Sequence, residues 1–124
     1  MVAEKARILV VEDDPTVARI LEVALRRRGY QFQLARDYPA ARAALAQDWD
    51  AIVLDINLPG GSGLDLLRYL RRELKRNIPV LVLSGLKQER SLAEAQALGA
   101  QEYLTKPFSP GELLGRLERY VAAR

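Results

Sequence analysis

Glu12, Asp13 and Asp14 follow directly on the apolar run ILVV, Asp55 follows AIVL, Ser84 follows PVLVL, and Lys106 follows EYLT. Carboxylates, a hydroxyl and an ammonium group are what phosphoryl chemistry uses: an oxygen nucleophile, ligands for a hard cation, and fixed donors for phosphoryl oxygens. Any one of these residues in a loop is ordinarily a solvated surface group. Together, at the ends of strand-like runs, they are not independent. In an open parallel sheet all strand C-termini lie along one edge, so residues distant in sequence converge near the point where strand order reverses.

Each group has a structural reading beside the chemical one. Asp14 precedes Pro15, a pairing suited to capping a helix and giving it its first residue, and capping is the role expected of it. Glu12 and Asp13 could merely complement the same helix dipole. Clustering them beside Asp55 costs repulsion unless a cation lies among them, and that favours ion binding. The sequence has 124 residues with no Cys and no His, which excludes disulfides, thiolate nucleophiles, Cys-ligated zinc and histidine ligands. Oxygen-liganded Mg²⁺ fits what remains. Asp13 and Asp55 are expected as direct ligands, a main-chain carbonyl near Asn57 as a third, and Glu12 as a partner through water. Asp55 itself reads as a nucleophile giving an acyl phosphate, with Lys106 as the neutralising charge and Ser84 as a hydroxyl donor.

The elements that must position these groups alternate strand and helix with short connections. Strands are expected at Arg7 to Val11, Gln31 to Ala35 (an edge strand), Ala51 to Leu54, Pro79 to Leu83 and Glu102 to Thr105. Helices are expected over about Pro15 to Arg28, with Val17, Ile20, Leu21 and Ala24 as its apolar stripe and Gly29 as its stop. Further helices follow over about Pro39 to Gln47, from Ser62 to Lys75, over Gln88 to Leu98, and from Ser109 onward. Ser62 with Asp65, and Ser109 with Glu112, read as capping boxes. Right-handed crossovers then give an α/β fold: a doubly wound, five-stranded parallel sheet in the flavodoxin-like order 2-1-3-4-5, with helices on both faces. Asp13 and Asp55 would lie side by side at the switch point, flanked by Ser84 and Lys106.

Composition points the same way. The chain is 49% hydrophobic and 28% charged, in keeping with one compact domain over residues 1–124. The apolar runs are too short to span a membrane, the N-terminus lacks the pattern of a signal peptide, and a cytoplasmic location is expected. The formal charge of +3 comes mainly from Arg spread along helices, as at Arg26-Arg27-Arg28, without interleaved stacking aromatics, so no direct nucleic-acid binding by this chain is expected.

The segments VVEDDP, LDINLPGGSG, PVLVLSG and YLTKPFSPGEL resemble the receiver domain of response regulators in bacterial two-component signalling, the chemotaxis-regulator type included, over essentially the whole chain. The resemblance implies that Asp55 accepts a phosphoryl group from a histidine kinase or histidine phosphotransfer protein. It also implies that Glu12 and Asp13 hold Mg²⁺, that Lys106 and Ser84 engage the phosphoryl group, and that Tyr103 is the aromatic switch. The Lys106-Pro107 peptide is implied to be cis. The readout surface implied is the fourth helix, fifth strand and fifth helix, with Lys87, Arg90, Glu102, Arg116, Arg119 and Tyr120 on it and a phosphorylation-dependent homodimer as one use. Two departures are visible: Ser84 replaces the commoner Thr, and Gly85 replaces the usual Ala, leaving the site more open. On this reading the protein catalyses only its own phosphorylation and dephosphorylation, not turnover of an external substrate. Two other readings stay open: a receiver cut from a longer DNA-binding regulator, and an aspartyl-phosphate phosphohydrolase. The second lacks the usual acidic residue two positions after the nucleophile, because Asn57 stands there. The cognate kinase and the output domain or effector are not written in the sequence.

Overall fold

The computed structural model describes residues 6–85 and 89–121. Five strands, β1 (Arg7–Val11), β2 (Gln31–Ala35), β3 (Ala51–Asp55), β4 (Val80–Ser84) and β5 (Glu102–Thr105), form one parallel sheet in the order β2-β1-β3-β4-β5. The helices are α1 (Pro15–Arg27), α2 (Tyr38–Ala44), α3 (Gly63–Arg68), α4 (Glu89–Ala97) and α5 (Pro110–Val121). The expected flavodoxin-like order is therefore the observed one, with β2 at an edge.

Continuous apolar strands are what a sheet covered on both faces requires. Successive side chains point to opposite faces, so each run feeds two cores. Leu9, Val11, Ile52, Leu54, Val80 and Val82 pack with residues of α2, α3 and α4, including Ala41, Leu66, Leu67 and Ala95. Ile8, Val10, Ala51, Val53, Leu81 and Leu83 pack with α1 and α5 through Leu21, Leu25, Leu113 and Leu117.

Several boundaries differ from expectation for identifiable reasons. α2 stops at Ala44 rather than Gln47, because the Ala44 carbonyl accepts from the Trp49 indole Nε1 at 2.8 Å and from Gln47 N in a tighter turn. The helix expected from Ser62 to Lys75 is regular only to Arg68 and continues as a π turn over Tyr69–Glu73. That wider turn keeps Leu70 buried while Arg71 reaches the carbonyls of Leu98 and Gly99, and Lys75 then leaves the helix with φ 52°. Asp55 and Ser84 are the last residues of their strands, held in by pairing Asp55 with Leu83 and Ser84 with Thr105. The expected capping boxes are half-made. Ser62 and Ser109 cap Leu64 N and Glu112 N, but the carboxylates of Asp65 and Glu112 pair with Arg68 and Arg116 instead. On α1 the buried stripe is Ala18, Leu21 and Leu25, one position round from the one expected, and Ile20 is 44% exposed. Lys87 and the expected helix start at Gln88 lie outside the described residues.

Candidate functional site

The parallel register puts Glu12 and Asp13, just beyond β1, next to the end of β3, with the ends of β4 and β5 following along the same edge. Glu12 is fully buried and Asp55 and Ser84 nearly so, whereas Asp13 is exposed. Ligand oxygens of Glu12, Asp13 and Asp55 all lie within 4.8 Å of one another. Lys106 Nζ stands between two of these carboxylates, 2.7 Å from Glu12 Oε1 and 2.9 Å from Asp55 Oδ2.

Local backbone chemistry fixes each side chain. Glu12 Oε2 accepts from Asp14 N at 3.1 Å, and Asp14 Oδ1 caps α1 by accepting from Thr16 N and Val17 N, so the capping role expected of Asp14 is the one observed. Asp55 Oδ1 accepts from Asn57 N at 3.0 Å. Lys106 N donates to Ser84 O at 2.7 Å, and the Lys106-Pro107 peptide is cis. The loop after β3 folds into a small antiparallel hairpin, Asn57–Leu58 against Gly61–Ser62, a feature no hydrophobic alternation announces.

The electrostatics are unbalanced. Burial pushes the Glu12 carboxyl above its ordinary range, opposed by its contact with Lys106, while the neighbouring Asp55 adds to the rise. Burial works to lower the Lys106 pKa, but its hydrogen bonds and charge interactions with Glu12 and Asp55 outweigh this and raise it. Among the described residues one ammonium pairs with two of the three clustered carboxylates, and the buried Ser84 hydroxyl is left over. Among the described residues Ser84 Oγ has no hydrogen-bond partner, and Glu12 Oε1 meets the Lys106 ammonium at 2.7 Å as an ion pair. An all-oxygen donor set with surplus negative charge and incompletely satisfied oxygens fits a hard divalent cation.

Gly63 was not singled out by sequence. A Cβ there would lie 2.3 Å from the Asp55 carbonyl oxygen and 2.8 Å from Ile56 Cα, so only glycine lets α3 start against the back of Asp55. Asp37, capping α2 through Ala40 N, was missed as well.

Farther along the edge, Tyr103 is half-buried, with its hydroxyl donating to Ala100 O at 3.0 Å. Glu102 gathers Arg116, Arg119 and the Tyr120 hydroxyl, while Arg90 is exposed. Beside Lys106 a groove of about 350 Å³ is lined by Asp14, Val17, Ile20, Pro107 and Phe108, which accounts for the exposed Ile20.

A doubly wound flavodoxin-like sheet with an acid-rich crevice at its switch point is the architecture of a signalling receiver. The family described as response regulator receiver domain matches residues 8–118. The chain is 41% identical over 114 residues to the phosphate regulon transcriptional regulatory protein PhoB of Escherichia coli, covering 90% of this chain and 50% of that protein. It is 37% identical over 117 residues to the cell cycle transcriptional regulator CtrA of Caulobacter vibrioides, covering 93% and 50%. The chain thus spans about half the length of these curated relatives. Among solved structures it resembles the receiver domain of Francisella response regulator 1452, with a TM-score of 0.86, 30% identity and coverage of 97% and 100%. It also resembles the chemotaxis protein CheY4 of Vibrio cholerae, with a TM-score of 0.84, 28% identity and coverage of 95% and 100%. The chain belongs to the response regulator receiver domain family of two-component signalling. None of the described helices is long and apolar enough to cross a membrane.

Proposed function

We propose that residues 1–124 act as one cytoplasmic receiver unit that takes a phosphoryl group on Asp55 from a phosphohistidine donor and uses it to switch the surface of α4, β5 and α5. The observation that carries this reading is the buried Asp55 carboxylate paired with Lys106 at 2.9 Å, next to a buried Ser84 hydroxyl with no hydrogen-bond partner among the described residues. A carboxylate oxygen of Asp55 attacks phosphorus, the P–N bond breaks with its electron pair going to the donor imidazole, and the product is an acyl phosphate. Asn57 N orients the carboxylate for that approach. Lys106 supplies positive charge that shifts from Asp55 to the phosphoryl oxygens, and Ser84 Oγ donates to one of them. Glu12, Asp13, Asp55 and the main-chain carbonyl of Asn57 would hold Mg²⁺, whose charge offsets that of the phosphoryl oxygens during transfer. The donor is a histidine kinase or histidine phosphotransfer protein, and the groove beside Lys106, with Ile20 and Phe108 on its walls, suits an apolar helix carrying the histidine.

After transfer about −1.5 to −2 charge resides at Asp55. Drawing Ser84 and Lys106 to it repacks the loops after β3 and β4, and Tyr103 follows inward, altering the surface that carries Arg90, Glu102, Arg116, Arg119 and Tyr120. That surface would then recruit an effector or a second copy. A more specific reading, a receiver joined to a DNA-binding output, is favoured by the names of PhoB and CtrA as transcriptional regulators about twice the span of this chain.

The test is incubation with acetyl phosphate and Mg²⁺ followed by intact-mass measurement, beside Asp55→Asn. One phosphoryl addition that requires Mg²⁺ and is absent from Asp55→Asn is expected. No addition from acetyl phosphate and none from a kinase-derived phosphohistidine would overturn the proposal.

A further inference from the structure

The hairpin after β3 is held from outside by the first turn of α2. Tyr38 N donates to Pro59 O at 3.0 Å, and the Tyr38 ring lies on Gly61 so closely that a Cβ there would be 2.8 Å from its Cγ. Next to it, a Cβ at Gly60 would come within 3.3 Å of Pro39 Cδ, and Gly60 already needs φ 82°. The Tyr38 ring is itself fixed. Asp37 caps α2 through Ala40 N, and Arg42, one turn further along α2, stacks 4.0 Å from the centre of the Tyr69 ring. On its inner side the hairpin pairs Asn57 with Ser62, and Asn57 N holds Asp55 Oδ1. A continuous line of contacts therefore runs from α2 through ring and hairpin to the candidate phosphoacceptor. Its outer members, Tyr38 and Arg42, are not part of the acidic cluster of Glu12, Asp13 and Asp55.

We propose that Tyr38 is a positioning residue for the site: its ring against Gly61 fixes the hairpin, and the hairpin fixes the Asp55 carboxylate and the main-chain carbonyl of Asn57. This rests on the phosphoacceptor reading above. Two bare glycine backbones give the loop no side chains of their own with which to resist twisting. The ring supplies that resistance from a neighbouring helix, so the geometry of the carboxylate depends on a residue outside the crevice. Misplacing a reacting group by about 1 Å costs on the order of 100-fold in rate, and a partly restrained loop should lose a fraction of that.

The experiment measures acetyl phosphate labelling rates at saturating Mg²⁺ and Mg²⁺ dissociation constants by calorimetry. The variants are Tyr38→Ala, Tyr38→Phe, Gly61→Ala and the Tyr38→Ala, Gly61→Ala pair, with Leu25→Ala on the opposite core as a stability control. Tyr38→Ala is expected to label about tenfold more slowly and to bind Mg²⁺ more weakly, while Tyr38→Phe, which keeps the ring, stays within about twofold of wild type. Gly61→Ala, whose methyl strikes the ring, should resemble Tyr38→Ala, and in the double variant it should add no further loss. Leu25→Ala should melt lower with an unchanged rate. Wild-type rate and Mg²⁺ affinity in Tyr38→Ala, or equal slowing in Leu25→Ala, would reduce Tyr38 to a structural residue and sink the proposal. Should Tyr38→Ala fail to fold, Tyr38→Leu and Gly61→Ala decide by the same criteria. Should wild type bind Mg²⁺ yet accept no phosphoryl group from any donor, the phosphoacceptor reading fails, and the Mg²⁺ affinities alone still judge Tyr38.

Discussion

Both edges of the sheet carry charge clusters, and they are built on opposite principles. At the edge where strands begin, guanidinium groups are tied into backbone carbonyls and side chains, Arg71 with all five of its donors. Arg71 donates to the carbonyls of Leu98, Arg76, Ile78 and Gly99 and to the Gln101 side chain. Arg76 similarly engages Leu45 O, Gln47 O and Asp48. Arg7 stacks 4.6 Å from the centre of the Trp49 ring while binding Asp48 O and Gln47 Oε1. At the edge where strands end, three carboxylates cluster with, among the described residues, one ammonium that pairs with two of them, and the Ser84 hydroxyl has no hydrogen-bond partner there. A charge whose hydrogen-bonding capacity is used up internally holds chain ends together. A surplus of one sign in a half-open crevice leaves free energy for a ligand to collect.

The sharpest way to break this contrast is Lys106→Ala. Losing this cation should slow acetyl phosphate labelling about 100-fold, because a fixed donor to the developing charge is gone. Mg²⁺ should bind more tightly, because its competitor for Glu12 and Asp55 has left. Calorimetry showing weaker Mg²⁺ binding would mean that the lysine helps build the ion site.

Arg71→Met tests the opposite edge. Several carbonyls lose a charged donor, and a loss of about 3 kcal/mol in urea-determined stability is expected, with the labelling rate per folded molecule unchanged. A slowed rate would show that the two edges communicate.

Glu12→Gln addresses the burial that raises the Glu12 pKa. A carboxyl whose folded pKa lies above its ordinary 4.5 supports the fold fully below that value, and this support is lost as pH rises through the folded pKa. In metal-free buffer at neutral pH the variant should therefore melt higher than wild type, with the difference closing below about pH 4.5. Added Mg²⁺ should reverse the order. A lower melting point for Glu12→Gln without metal would mean that the Lys106 pairing outweighs burial.

The smallest effect is expected at Gly85, where a methyl group narrows access to Asp55. Gly85→Ala should lengthen the life of the phosphorylated form severalfold, read by loss of the added mass with time, and an unchanged lifetime refutes that role.

The continuous apolar runs between helical patterns marked the strand sequence, the two-faced burial and the strand-end positions of Glu12, Asp13, Asp55, Ser84 and Lys106, because run length, periodicity and strand ends are local properties of the chain. Asp14 before Pro15 announced its cap for the same reason: donor and acceptor are two and three residues apart. Local pattern could not choose between two overlapping stripes on α1, since both are apolar and only docking against the sheet decides which is buried. Nor could it decide whether Asp65 and Glu112 would close capping boxes, because an arginine one helical turn on competes for each carboxylate. The placement of Lys106 between Glu12 and Asp55, the Tyr38 ring on Gly61 and the approach of Gly63 to the back of Asp55 belong to tertiary structure alone. Their partners are set by strand register and helix docking, which depend on the packing of both cores at once and leave no trace in any short stretch of sequence.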